Sequence, residues 1–341
     1  MAHRHRTGDS GDVDGSRRTT QGAVGVMACA ALMAPGYPGP IDAQRFADPT
    51  AHVERSLTGA ATAALPIAAS VPAPPPPVQL GRLRVRLAKA ASWTLALSDK
   101  AAASELRGYS LVVVDGETTS TSRIRTLHAR GSIVLAYLSI GTIEDGRWWS
   151  TAAQEFRLDR WQDWGEWYAD VNRPRFRSLI TGTVLPRIMA AGYDGVFLDN
   201  VDMVESHPAQ RRGMATLLSQ VSRQVHGRGR LVLAQNGDTQ LSWMLPWLDG
   251  WNREDVSYTY DFDTGKYRRA SAAERGRAAR AIGRVTALRR PAFTTDYLSN
   301  PASPTAAPQV ADAVRYSCRL GAKPYVSSIL LDRMPSRPLH C

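Results

Sequence analysis

The chain has 341 residues, 43% of them hydrophobic, enough for one large core or two ordinary ones. Its formal net charge is +11, yet it holds no long Lys/Arg run and no nucleic-acid motif, so the excess reads as a solvated basic surface and nucleic acid is not expected as a partner. Its three cysteines, Cys29, Cys318 and Cys341, form no Cys-x-x-Cys pair and its histidines no ligand cluster, so neither a metal nor any other cofactor is expected.

Residues 1 to 22 are polar and carry Arg4, Arg6, Arg17 and Arg18. Ala23 to Ala34 form an apolar run of small residues, as long as a signal-peptide core and too short to span a membrane. Residues 1–35 therefore read as an export segment. The mature chain is expected to be secreted, extracellular or cell-wall associated, with no integral membrane span. Val26-Met27-Ala28-Cys29 resembles a lipoprotein cleavage box only loosely, because the apolar run continues past Cys29. Residues 36–80 are rich in Ala and Pro, and near their end comes Pro72-Ala73-Pro74-Pro75-Pro76-Pro77, the composition of a disordered or semi-rigid linker. The first 80 residues hold six Arg and six Asp or Glu, so the positive excess lies in the remainder. One domain is expected over 81–341, as a monomer. Cys318 and Cys341 are candidates for a disulfide that pins the C-terminus in an oxidising compartment; two free thiols are the alternative.

From Leu80 strand and helix signals alternate. Trp93 to Leu97 is a candidate first strand, and Leu111 to Val114 a second that ends at Asp115. Ile133 to Ile140 is the third and Gly195 to Leu198 the fourth, ending at Asp199. Leu231 to Ala234 is the fifth, with Asn236 at its end, and Gly250 to Asn252 a weak sixth near Glu254. Ala292 to Thr295 is the seventh, ending at Asp296, and Tyr325 to Leu331 the eighth, ending at Asp332. Continuous apolar runs such as Val196 to Leu198 suit strands buried on both faces.

Helical spacing fills most gaps. Phe176, Leu179, Ile180, Val184, Ile188 and Met189 recur on one face, with Pro186 expected to kink the helix. Ala209 to Val225 reads as a helix stopped at Gly227. Ser271-Ala272-Ala273-Glu274 is a capping box opening a helix that runs to Leu288. Val310 to Leu320 precedes the last strand. Eight strands alternating with helices predict a parallel sheet closed as a (β/α)8 barrel. The helix expected after the eighth strand is missing, which leaves an open doubly wound sheet as the alternative.

In a barrel the strand ends converge on one mouth. Here they carry Asp115, Ser139, Asp199, Asn236, Glu254 and Asp296. One such residue alone would read as a helix cap; six on different strands read as a site. No Gly-x-Ser-x-Gly elbow and no phosphate-binding Gly loop are present. His128, His207 and His226 read as surface or core residues. Carboxylates without metal or thiol suit glycoside hydrolysis, which needs a nucleophile and an acid about 5–5.5 Å apart for retention or about 6.5–9.5 Å apart for inversion. Asp199 is the candidate nucleophile, with Asn200 to orient it and Asp202 near enough to influence its charge. Glu254 is the candidate acid, since apolar neighbours and the adjacent Asp255 should raise its pKa. Asp194 starts the fourth strand, at the opposite end of the barrel, and reads as part of a turn. The connection after the third strand runs to Val171 and holds Glu144, Arg147, Trp164 and Glu166 with four further Trp, a composition suited to stacking on sugar rings; an ordinary subcore is the bland reading.

Ala136-Tyr137-Leu138-Ser139-Ile140-Gly141 with Glu144 and Arg147, then Trp164-Gly165-Glu166-Trp167, then Gly192 to Asp202, resemble the motifs of glycoside hydrolase family 114. The resemblance covers residues 90 to 335. It implies a (β/α)8 barrel, secretion, and retaining endo-hydrolysis of α-1,4-linked galactosamine-containing polysaccharide. It maps the nucleophile onto Asp199 and, by order and spacing, the acid/base onto Glu254. Asp115, Tyr137, Asn236, Tyr258, Asp296 and Tyr297 would line the cleft by position. A deacetylated galactosamine polymer is cationic, which sits awkwardly with a +11 chain. Two non-enzymatic readings compete: a carbohydrate-binding barrel without turnover, and a basic protein attached to an anionic wall polymer.

Overall fold

A computed structural model describes residues 77–98, 101 and 105–341. The expected export segment, Cys29 and residues 36–76 of the expected linker lie outside them. Residues 77–80, also assigned to the linker from composition, instead belong to a helix, Pro77–Ala88.

Thirteen strands follow among the described residues: β1 Trp93–Ala96, β2 Leu111–Asp115, β3 Ile133–Ser139, β4 Thr142–Ile143, β5 Arg157–Trp161, β6 Glu166–Ala169, β7 Gly195–Asp199, β8 Leu231–Gln235, β9 Gly250–Glu254, β10 Tyr258–Asp261, β11 Lys266–Arg269, β12 Ala292–Tyr297 and β13 Ala322–Ser327. Eight of them form one parallel sheet in the order β1-β2-β3-β7-β8-β9-β12-β13. The order never reverses, which excludes the doubly wound alternative. The sheet curls into a (β/α)8 barrel. At the seam, Trp93 Nε1 donates to Lys323 O at 3.0 Å and the Tyr325 hydroxyl to Leu95 O at 3.2 Å, tying β1 to β13.

Side-chain alternation divides the core in two. Trp93, Leu95, Leu111, Val113, Leu135, Phe197, Leu233 and Phe293 fill the barrel interior. Val112, Val114, Val134, Ala136, Val196, Leu198 and Val232 face outward beneath the helices. The eighth strand ends at Ser327, not near Asp332 as the apolar run suggested, because Ile329 and Leu331 belong to the tail that follows.

Pro186 does not simply kink its helix. The helix Pro174–Leu179 widens into a π-turn over Ile180–Val184 and restarts at Leu185, so Pro186 falls in a first turn, where a missing N–H costs little. The expected last helix is absent among the described residues. The C-terminal tail covers that flank: Met334 packs against both core clusters and its Sδ lies 3.7 Å from Thr94 Oγ1. A disulfide between Cys318 and Cys341 staples the tail to the helix Ala307–Arg319. Its two ends lie 23 residues apart, a span for which cross-linking stabilises by about 3 kcal/mol. Reducing it, or changing Cys341→Ser, is expected to lower the melting temperature, with thermal denaturation with and without reductant as the check.

The barrel floor carries two copies of one clamp. Asp194 Oδ2 accepts from His128 Nε2 at 2.9 Å and from Val134 N at 3.0 Å, while Asp194 N donates to Val134 O. Asp249 Oδ2 accepts from His226 Nε2 and Val232 N, both at 2.8 Å, while Asp249 N donates to Val232 O. In both copies a Gly follows the Asp, and His precedes Val by six positions. Arg84 adds a 2.7 Å bond to Asp249, holding the helix Pro77–Ala88 under the floor, where Leu83 and Leu87 plug the interior. Asp194, His128 and His226 are therefore structural. His207 is likewise engaged, with Asp159 at 2.7 Å.

Candidate active site

The mouth is built by three successive strand ends. β7, β8 and β9 each deliver an inward polar side chain, Asp199, Gln235 and Glu254, and then turn through a residue of left-handed backbone, Asn200 (φ 57°), Asn236 (φ 56°) and Asp255 (φ 58°). Asn and Asp tolerate that conformation better than other residues with side chains.

Asp199 is fully buried. Its Oδ2 accepts from the Tyr137 hydroxyl at 2.6 Å, and its Oδ1 from Gln235 Nε2 at 2.7 Å and Asn200 N at 2.8 Å. Gln235 is steadied by Asn252 Nδ2 at 3.1 Å, and Asn252 in turn by the Thr295 hydroxyl at 3.3 Å. A polar layer thus crosses the barrel from β7 to β12. Neither residue stands out in the sequence: Gln235 falls between the apolar run and Asn236, and Asn252 reads as part of the weak sixth strand. The period-2 register Leu231, Leu233, Gln235 would have found the first.

Glu254 is also fully buried. Asn236 Nδ2 donates to its Oε2 at 2.6 Å and the Tyr297 hydroxyl to its Oε1. Burial, the Asp199 charge and then the Asp255 charge hold its carboxyl well above the usual range, against the lowering by these two donors. This matches the sequence expectation for Glu254 in direction and, for Asp255, in cause. Asp255 lies on the turn beside it, with a carboxyl that burial pushes up to about 7.

A second cluster flanks the pair. Asn200 Nδ2 donates to Ser139 Oγ and Thr142 Oγ1, each at 2.9 Å, and Thr142 Oγ1 donates to Glu166 Oε2 at 2.6 Å. Burial first, then Glu144, raises the Glu166 carboxyl well above its ordinary value, and Asp199 adds to the effect. Asp202 is raised in the same way by burial and Asp199. Arg147 grips Glu144 at 2.8 and 3.0 Å and Asp115 at 2.7 Å. The guanidinium holds Asp115 below the usual carboxylate range, whereas burial lifts Glu144 to about 7.

Asp296 and Tyr258, both expected at the cleft, are engaged elsewhere. Asp296 alternates with the inward Thr295 and Tyr297, and its Oδ1 instead accepts from Ser257 N and Tyr258 N. Tyr258 turns toward Asp312, 3.2 Å from its hydroxyl. The period-2 rule again explains the miss: a polar residue at a strand end faces the lumen only if it shares the lumen register.

The connection after β3 folds into an antiparallel sheet, β4-β6-β5, and the one after β9 into the β10-β11 hairpin. They meet above the interior, where Trp164 packs edge-on against Phe262 with ring centroids 5.2 Å apart. Tyr260 and Tyr267 continue the aromatic rim. Trp164 thus sits on the rim, packed against the interior cluster. Its buried indole N–H has no partner among the described residues.

The raised carboxyls predict how stability follows pH. Asp255 and Glu144 near 7, Asp296 near 6, and Glu166, Asp202 and Glu254 all bind protons in the folded state at pH values where the unfolded chain has lost them. Stability therefore falls as pH rises from about 4 through about 7. The full chain is expected to melt at least about 5 °C higher at pH 5 than at pH 7.5, by calorimetry at matched ionic strength. An unchanged or higher melting temperature at pH 7.5 would contradict these assignments.

The model of the glycoside-hydrolase family GH114 matches residues 76–336. An uncharacterized protein of Deinococcus radiodurans is 27% identical over 247 residues, 66% of this chain and 75% of that one. The uncharacterized protein MJ1477 of Methanocaldococcus jannaschii is 25% identical over 178 residues, 44% of this chain, and the match spans about half (51%) of its length. The glycoside hydrolase domain of PelA from Pseudomonas aeruginosa superposes with a TM-score of 0.61 at 23% identity, over 71% of this chain and 96% of that domain. Aspergillus fumigatus Ega3, in complex with galactosamine, gives 0.60 at 16% identity over 74% and 95%. The two solved structures share this barrel, and the family match covers nearly all of it: the chain belongs to glycoside hydrolase family GH114 and is a glycoside hydrolase.

Proposed function

We propose that this protein is a secreted, endo-acting hydrolase of α-1,4-linked galactosamine-containing polysaccharide that works with retention, Asp199 as nucleophile and Glu254 as acid/base. The observation that carries the reading is the pairing of two fully buried carboxyls in unlike settings. Three donors surround Asp199, a setting suited to an anion. Burial and neighbouring negative charge favour a proton on Glu254. Two carboxyls set apart by environment make an acid and its partner.

In the first step Glu254 gives its proton to the glycosidic oxygen as that bond to the anomeric carbon breaks, and an Asp199 oxygen bonds to the same carbon. In the second, Glu254 takes a proton from water. The water oxygen bonds to the anomeric carbon and Asp199 leaves, which restores both groups. Tyr137, Gln235 and Asn200 hold the nucleophile; Asn236 and Tyr297 hold the acid.

The sugar is inferred from the family, from a neighbour solved with galactosamine, and from the charge of the mouth. Glu166 Oε1 and Asp202 Oδ2 are buried acceptors without a partner among the described residues, and both carboxyls feel Asp199. An ammonium brought against them would favour their ionised forms. An acidic mouth in a basic protein removes the conflict between a cationic substrate and a +11 chain. Export is consistent with the disulfide, since such bonds persist in oxidising compartments.

The test is product analysis. The full chain is incubated with partially deacetylated α-1,4-linked galactosamine polymer and the products are read by mass spectrometry, beside the fully N-acetylated polymer. Short oligosaccharides that end at galactosamine units are expected. Release of monosaccharide only would reject endo action. An intact deacetylated polymer would reject the sugar.

A further inference from the structure

The net charge of +11 is not spread evenly. Residues 268–323 hold eleven Lys and Arg against three Asp and Glu. That one stretch supplies a net +8, and it forms a single wall of the barrel: the helix Ala272–Ala287, β12 and the helix Ala307–Arg319.

The few acids there are consumed locally. Glu274 caps its own helix and takes Arg268 at 2.9 Å. Asp312 takes Arg269 at 3.0 Å and Arg275 at 3.7 Å. Asp296 is buried on the backbone of residues 257 and 258. Among the described residues, no ion pair is formed by Arg277, Arg280, Arg284, Arg289, Arg315 or Arg319, and all six are exposed. Arg277, Arg280 and Arg284 stand at i, i+3 and i+7, a row about 10 Å long on the outer face of one helix. Arg315 and Arg319 continue the patch on the neighbouring helix, joined to it by the Tyr316 hydroxyl bond to Arg275 O at 3.3 Å.

We infer that this wall is a docking surface for a linear phosphate-bearing polyanion, separate from the catalytic mouth. A row of cations free of ion pairs along a helix, of which only Arg284 is engaged, by Asp238 O at 3.2 Å, matches regularly spaced anions, and guanidinium forks fit phosphate oxygens in pairs. Two other occupants suit the wall less well. An interfacial membrane helix needs an apolar outer face, whereas Ala278, Ala281, Ile282 and Val285 of the helix Ala272–Ala287 are turned into the core. Single-stranded nucleic acid stacks on open aromatic rings, whereas Tyr316, the aromatic residue at the helix contact, is covered by the guanidinium of Arg275 at 4.1 Å and approached by that of Arg319 at 5.5 Å. The inference does not depend on the catalytic reading. An enzyme held on a polyanion by its flank keeps its mouth free.

The test uses the full chain and long-chain inorganic polyphosphate. Binding is measured by fluorescence anisotropy between about 0.05 and 0.3 M salt. The triple variant R277Q/R280Q/R315Q is compared with R125Q/R173Q/R228Q, which removes the same charge from other exposed positions. The wall variant is expected to bind at least tenfold more weakly at low salt. Its log–log salt slope should be shallower by about 2, near 0.7 for each lost contact. Activity on a short soluble oligosaccharide should be unchanged. Equal losses in the two triple variants would overturn the inference in favour of net charge alone. Binding to phosphatidylglycerol vesicles but not to polyphosphate would overturn it in favour of a lipid surface.

Discussion

Glu254→Gln is expected to slow polymer hydrolysis by about 10²–10⁴-fold, the usual weight of a positioned general acid, while leaving the fold as stable as before or more so. The second effect separates this residue from a structural one. Glu254 carries a raised carboxyl because burial and two nearby charges disfavour its ionised form. Gln is close in shape to the protonated acid and cannot ionise, so the substitution removes a cost that grows with pH. The Gln carbonyl can take the place of Oε2 and accept from Asn236, while the Tyr297 hydroxyl turns to accept from the new amide N–H.

Asp199→Asn should behave differently. Three donors converge on its two oxygens, and an amide placed there sets an N–H against one of them. A loss of about 1–3 kcal/mol is expected, together with the loss of all measurable turnover. The two variants also part company on a substrate with a good leaving group. Such a substrate needs no acid to leave, so Glu254→Gln should still form the glycosyl-enzyme and accumulate it, visible as a mass shift on the intact protein. Asp199→Asn should never form it. Turnover above about a tenth of wild type in either variant would move the catalytic role elsewhere. The buried Asp202 and the half-buried Asp255 are the next carboxyls to examine.

The barrel was legible because its evidence is periodic. Runs such as Val196-Phe197-Leu198 are apolar on both faces, and only a strand packed on both sides needs that. The carboxylate pair was legible because strand ends are where a barrel places its chemistry. The finer differences have two causes. Asp296 and Tyr258 were assigned to the cleft from position along the chain, whereas lumen access is decided by register, and Asp296 is one residue out of phase with Tyr297. The eighth strand was drawn too long because Ile329 and Leu331 are apolar, and composition cannot tell a buried tail from a strand. That tail replaces a helix only through tertiary contacts, Met334 against Thr94 and Cys341 to Cys318, which no local pattern announces.

Gly141→Ala should be the most damaging of the small substitutions, costing at least about 3 kcal/mol and abolishing activity in whatever protein still folds. The reason is not backbone conformation but approach. A Cβ at position 141 would stand 1.9 Å from Asn200 O and 2.7 Å from its carbonyl carbon, and neither is the yielding end of a side chain. Relief requires moving Asn200. That residue is left-handed, gives its N–H to Asp199 Oδ1 and its amide to Ser139 and Thr142. Gly141 O also receives Ala169 N, which anchors the last residue of β6, the strand that opens with Glu166. The Ser-Ile-Gly motif and the Asp-Asn motif, about 60 residues apart in sequence, are thus two sides of one contact, and the glycine is what lets them close. Gly283→Ala is the matched control. It lies within the helix Ala272–Ala287 with nothing near a new Cβ, so it should stabilise by about 0.5–1 kcal/mol. Urea denaturation of both variants, paired with activity, checks the argument. A folded, active Gly141→Ala protein would mean that the β3 turn and the Asp199 turn do not touch as described, and the positioning of the nucleophile would need another source.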